Sequence, residues 1–106
     1  MLTHNDAINL CLIELSARGN MVARREVGLF NDMRGHPRRV GVVGEADIQG
    51  VRPGGQALAV EVKTGAAVQN PQQKKWMKRF MEMGGHFVLA RIVEKEDVKK
   101  IFDSTM

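Results

Sequence analysis

Asp47, Glu61 and Lys63 are the residues of this 106-residue chain whose types and spacing best suit chemistry. Gly44-Glu45-Ala46-Asp47 is followed by a turn and then by Val60-Glu61-Val62-Lys63. Side chains alternate along a strand, so Glu61 and Lys63 point to one face while Leu58, Val60 and Val62 point to the other. A carboxylate and an ammonium then stand together at the end of a strand whose opposite face is core. Asp47 lies near the end of the preceding strand, and a hairpin brings its carboxylate opposite Glu61. Two carboxylates converging with a main-chain carbonyl make an oxygen site for a hard divalent cation such as Mg²⁺. A lysine beside that ion positions or activates a water, and both positive charges stabilise an attacked phosphate. The same three residues equally fit a cross-strand salt bridge of nearly neutral energy. Glu45 shares a face with Asp47 and is the alternative carboxylate.

Gln73 adds a fourth group. Positions 73, 76, 77, 80 and 84 follow helical spacing and hold Gln73, Trp76, Met77, Phe80 and Gly84 on one face. A glutamine heading an apolar stripe points inward, where its amide needs partners, and the end of the Glu61 strand offers them. The alternative is a glutamine in a frayed first turn facing water. Trp76, Phe80 and Phe87 read as core on this stripe and the following strand, with base-stacking platforms as the alternative. Cys11 reads as a small buried hydrophobe.

These residues need elements to hold them. Residues 3 to 18 read as a helix capped by Thr3 or Asn5, with Ile8, Cys11, Leu12 and Leu15 as its stripe and Gly19-Asn20 as its end. Met21 to Phe30 and Val40 to Ile48 read as strands joined by a polar loop over 31 to 37. The turn Gly50-Val51-Arg52-Pro53-Gly54-Gly55 makes a hairpin with a third strand, Ala57 to Lys63. Gln69 to Met83 is a helix with Pro71 in its first turn, stopped by Gly84-Gly85. His86 to Val93 is a nearly continuous apolar run, the pattern of a strand buried on both faces. Glu96 to Ser104 is a last short helix. The expected fold is α/β, order α-β-β-β-α-β-α, a mixed sheet flanked by helices.

Composition bounds the rest. The length suits one domain over 1–106, and the balance of 43% hydrophobic and 26% charged residues is globular. One cysteine excludes an internal disulfide scaffold. No apolar run approaches the ~18 residues of a membrane span, and His4, Asp6 and Glu14 stand where a signal peptide would be apolar. A soluble, cytoplasmic protein is expected. Net charge is +4, and its distribution is uneven. Six arginines between 18 and 39 face only Glu26 and Asp32, and Lys63 to Arg79 holds five cations and no acid. Such stretches suit a polyanion such as nucleic acid, or simply a solvated face.

Taken in order, Asp47, then Glu61-Val62-Lys63, then Gln73 within Asn-Pro-Gln-Gln-Lys-Lys-Trp resemble the PD-(D/E)XK nuclease superfamily, and more closely its virus-type replication-repair nuclease (VRR-NUC) family. The resemblance extends from Arg24 to Gly84-Gly85-His86-Phe87-Val88 and implies a restriction-endonuclease-like core. It implies that Asp47, Glu61 and the Val62 carbonyl hold Mg²⁺ or Mn²⁺, that Lys63 orients the nucleophilic water, and that Gln73 steadies that water or the lysine. Arg24, Lys74, Lys75 and Lys78 would contact DNA, with Arg79 beside them. Ala46 replaces the proline of the superfamily name. The family's usual acid on the first helix is missing, and the corresponding position falls near His4, a metal-water partner, a DNA contact or an exposed bystander. The implied activity is endonucleolytic hydrolysis of branched DNA, including four-way (Holliday) junctions, by a homodimer of the small stand-alone viral or phage type, in the host cytoplasm. Nicking of flaps or duplex, and a non-catalytic DNA-binding module, are the alternatives.

Overall fold

The computed structural model describes residues 2–25, 28–31, 33–40 and 42–106, with 28–31 and 38–40 described by their backbone alone. The chain runs α1 (His4–Ala17), β1 (Met21–Arg24), β2 (Gly28–Asn31), β3 (Pro37–Val40), β4 (Ile48–Val51), β5 (Ala57–Lys63), α2 (Pro71–Glu82), β6 (His86–Arg91) and α3 (Glu96–Thr105). Four strands form one sheet in the order β1-β4-β5-β6, and β2 pairs with β3 alone. β1 and β5 lie antiparallel to β4, whereas β6 runs parallel to β5. That parallel pair requires a crossover, which α2 supplies.

Local chemistry explains the helix starts. Thr3 caps α1, accepting from Asp6 N at 3.0 Å while Asp6 accepts from Thr3 N at 3.3 Å. Asn70 caps α2 in the same reciprocal way with Gln73, and Pro71 occupies the first turn. Gly19 and Gly84, with φ +88° and +92°, follow the ends of α1 and α2. The core lies on one face of the sheet. Ala7, Ile8, Cys11 and Leu15 of α1 and Val98 and Phe102 of α3 cover Ile48, Leu58, Val60, Val62, Val88, Ala90 and Ile92. Burial pushes the Cys11 thiol up to about 12, with the Asp47 charge adding to the rise, so it is packing and not a nucleophile.

The expected strands need three corrections. The two long strands expected over 21–30 and 40–48 are each divided, because only 21–24 and 48–51 join the main sheet. A strand cannot run through Gly44, whose φ is +86°, and the chain turns there instead. Glu26, Val27 and Gly41, which fall in those expected strands, lie outside the described residues, as does Asp32. Gly50 and Val51, expected in the turn, belong to β4, and the turn begins at Arg52. Finally, β6 is an edge strand buried on one face only. Val88 and Ala90 enter the core, while Leu89 on the other face is 42% exposed.

α2 lies over that second face and covers it incompletely. Trp76 stacks on Phe80 with centroids 5.0 Å apart, and Phe87 of β6 meets both rings at 6.3 and 6.4 Å. No residue of α2 is fully buried, and Trp76 and Phe80, like Phe87 of β6, are half-buried and not core as expected.

Gly50 is where β1 closes on β4. A Cβ there would lie 1.8 Å from the Met21 carbonyl oxygen, a main-chain atom that cannot step aside. Gly50→Ala should cost on the order of 1–3 kcal/mol, read as a Tm drop of about 4–8 °C per kcal/mol. An unchanged Tm would show that β1 is not held against β4 at this register.

Candidate active site

The β4–β5 register pairs Ile48 with Val60, which sets Asp47 opposite Glu61 one step further along. Asp47 Oδ2 accepts from Val62 N at 2.8 Å, and Asp47 O accepts from Arg25 N at 2.7 Å. The aspartate is thereby pinned from both sides at the point where β4 begins. In a strand a residue's N–H and C=O point to the same side, so the Val62 carbonyl also faces the Asp47 edge.

Glu61 is 1% exposed in the middle of the sheet, and its Oε2 is buried with no hydrogen-bond partner. Burial raises the Glu61 pKa above the ordinary glutamate value. A hydrogen bond from Gln69 and the charge of Lys63 act against that rise, and Asp47 adds to it. An ionised carboxylate in such a place calls for a compensating cation. Lys63 does not close on it as the salt-bridge alternative requires. Its Nζ donates instead to Gln73 Oε1 at 3.0 Å.

Gln73 Oε1 also accepts from Asn70 N at 2.9 Å, completing the cap of α2. Two donors on one atom identify it as the oxygen, which leaves the amide nitrogen as the end able to donate. The glutamine therefore faces inward and not to water. The connection from Lys63 to α2 is braced by Arg91, whose guanidinium donates to Gly65 O at 2.5 Å and Ala67 O at 2.6 Å. Nothing in the spacing of Gln69 or Arg91 marks either one, because Gln69 acts on the Glu61 carboxylate and donates to Met77 Sδ at 3.6 Å, and Arg91 bonds loop carbonyls.

The remaining expected residues fall as follows. His4 Nε2 stands 3.7 Å from Asp47 Oδ1, so α1 does bring its histidine to the cluster. Arg24 donates to Asn5 Oδ1 at 2.7 Å, on the same turn of α1. Glu45, the alternative carboxylate, is buried and paired with Arg25 at 3.4 Å. Lys74, Lys75 and Lys78 are exposed on α2.

Among the described residues no three His, Cys, Asp or Glu side chains converge as a ready-made metal cage. The donor set offered is two carboxylates and a carbonyl. That set fits Mg²⁺, which is commonly bound through one or two carboxylates and keeps several waters, and the unpartnered Glu61 Oε2 fits a cation as its missing neighbour.

If that cation is the partner, the folded state alone binds it. At Mg²⁺ about 100-fold above its Kd the stabilisation should be about 2.7 kcal/mol, visible as a raised Tm. Glu61→Gln should abolish most of that gain and, in EDTA, be at least as stable as the parent, since a buried charge is removed. A Tm indifferent to Mg²⁺ and Mn²⁺ would remove the cation from this site.

No protein-family model and no curated protein matches the chain in sequence. A solved structure described as a "VRR_NUC domain" superposes with a TM-score of 0.66 at 18% identity, covering 97% of this chain and 97% of the other. At that identity the shared property is the fold. Three helices around a four-stranded mixed sheet give this chain the α/β fold of a VRR_NUC domain.

Proposed function

We propose that this chain is a divalent-metal-dependent DNA endonuclease of the VRR-NUC type in the PD-(D/E)XK superfamily. One observation carries the proposal. Asp47, the unpartnered Glu61 Oε2 and the Lys63–Gln73 pair meet at one end of β5, within a fold that a VRR_NUC domain shares. Asp47, Glu61 and the Val62 carbonyl would hold Mg²⁺ or Mn²⁺. Bound there, the ion would act as a Lewis acid on the scissile phosphate. Lys63 orients the attacking water and offsets negative charge developing on the phosphate. Gln73 fixes the lysine's direction through Oε1 and leaves its amide nitrogen to donate to a phosphate oxygen. His4 and Arg24 flank the site from α1 and β1, and Lys74, Lys75 and Lys78 offer phosphate contacts along α2.

The substrate proposed is branched DNA, with the four-way junction first, cut by a homodimer. A two-fold pair presents two equivalent sites, matching a junction that must be nicked on two strands. No helix among the described residues is long and apolar enough to cross a membrane.

End-labelled four-way junction, flap and linear duplex, each with Mg²⁺, Mn²⁺ or EDTA, test the reading. Paired symmetric nicks on the junction, lost in EDTA and in Glu61→Ala, are expected. Lys63→Ala should slow cleavage about 10²–10³-fold. Gln73→Ala, which loses the lysine's support, the phosphate donor and one bond of the α2 cap, should slow it about 10–100-fold. Cutting of flap or duplex alone would remove the junction, and binding without cleavage in any metal would make the chain a non-catalytic module.

A further inference from the structure

Val42 and Val43 are 57% and 49% exposed, although they immediately precede the loop that leads to Asp47. They form one wall of a cleft of about 330 Å³, whose other wall is Gln72, Lys75, Trp76 and Arg79 of α2. These helical positions are i, i+3, i+4 and i+7, one continuous face. The volume falls at the lower end of the roughly 300–1,000 Å³ of small-molecule clefts.

The two walls approach each other main chain to main chain. Gly44 has φ +86°, and a Cβ there would lie 2.6 Å from the Gln72 carbonyl oxygen. The Trp76 ring is braced from behind by the stacked Phe80 and by Phe87, yet remains only half-buried. A flat, fixed aromatic surface beside two open valines suits another flat ring. Lys75 and Arg79 give the same cleft a cationic rim, and no acid occurs between Lys63 and Arg79. Arg79 meets Glu82 at 3.7 Å, an exposed pair of little strength that a phosphate can displace.

An acidic peptide would satisfy the cations and leave the aromatic wall unused. A nucleotide supplies a planar base and an anion in one unit. The walls are also the segments that carry Asp47 and Gln73, so an occupant of this cleft lies beside the proposed cleavage site. We infer that the cleft binds one unpaired nucleotide of the DNA, its base against Trp76 and the valines and its phosphate against Lys75 and Arg79. A base within a duplex is paired and stacked on both faces, so a nucleotide of a flap or single strand enters directly, whereas one at the branch point of a junction must first leave its pair. Selection for DNA that carries, or readily releases, an unpaired nucleotide then follows from this cleft and needs no long recognition loops. The inference rests on the nuclease reading above.

Trp76 is the sole tryptophan, so its fluorescence reports on the cleft directly. The protein in EDTA is titrated with a short single-stranded DNA and with an abasic oligomer of the same number of phosphates. The expected result is quenching by the base-bearing strand and about ten-fold weaker binding of the abasic one. Trp76→Leu should erase that preference. The abasic comparison uses unaltered protein and so stands even if the variant folds poorly. Equal binding of the two oligomers with unchanged fluorescence overturns the inference, while metal-dependent cleavage by the same preparation leaves the nuclease reading intact. Loss of both DNA binding and cleavage removes that reading and the inference with it. Quenching by polyglutamate as strong as by DNA would assign the cleft to an acidic protein. A fluorescence shift on self-association alone, with a dimer in sedimentation, would assign it to a second copy of the chain.

Discussion

A carboxylate oxygen buried without a partner in the central strand is the feature around which the other groups are arranged. Glu61 Oε2 sits inside a sheet whose remaining polar groups are largely satisfied by the ladder. An ionised group in that position is unfavourable in isolation, and a protein tolerates it where something charged or polar is brought to it. Each neighbouring element contributes to that end. Asp47 stands where β4 begins, β5 supplies Lys63 two residues on, the following connection brings Gln69, and α2 brings Gln73.

Gln73 connects two levels of structure through one atom. Its oxygen completes a helix cap, a local device set by three residues of separation, and holds Lys63 across ten. The start of α2 and the direction of the lysine are therefore one geometrical fact. A residue that only capped the helix would leave the ammonium free to swing toward Glu61 and neutralise it. The glutamine keeps lysine and carboxylate apart as separate functional groups.

The two faces of the sheet are built for different work. α1 and α3 bury one face completely and account for nearly all of the apolar core. α2 covers the other with half-buried aromatics and leaves Leu89, Val42 and Val43 open. A small domain has few residues to spare, and this one concentrates its packing on the side away from Glu61. The side toward Glu61 carries the cations of α2 and the open cleft.

Much of this was legible in the sequence, and particular residues show why. The alternation in Leu58-Ala59-Val60-Glu61-Val62-Lys63 requires only strand geometry, so the separation of core face from polar face could be read directly. Pro71, Gly19 and Gly84 act through their own backbone and Thr3 through a hydroxyl that reaches only three residues on, so these helix ends depend on local sequence alone. The Gly-rich turn after Val51 set the hairpin, and with it the placing of Asp47 opposite Glu61. The sequence could not separate a salt bridge from a lysine held by Gln73, because that depends on where α2 lands on the sheet. It could not show that the apolar run of β6 lies at an edge, since strand order comes from long-range pairing. Nor could it show that Trp76 is only half covered. Helical spacing tells which side chains share a face, and only the tertiary packing decides whether anything lies over them.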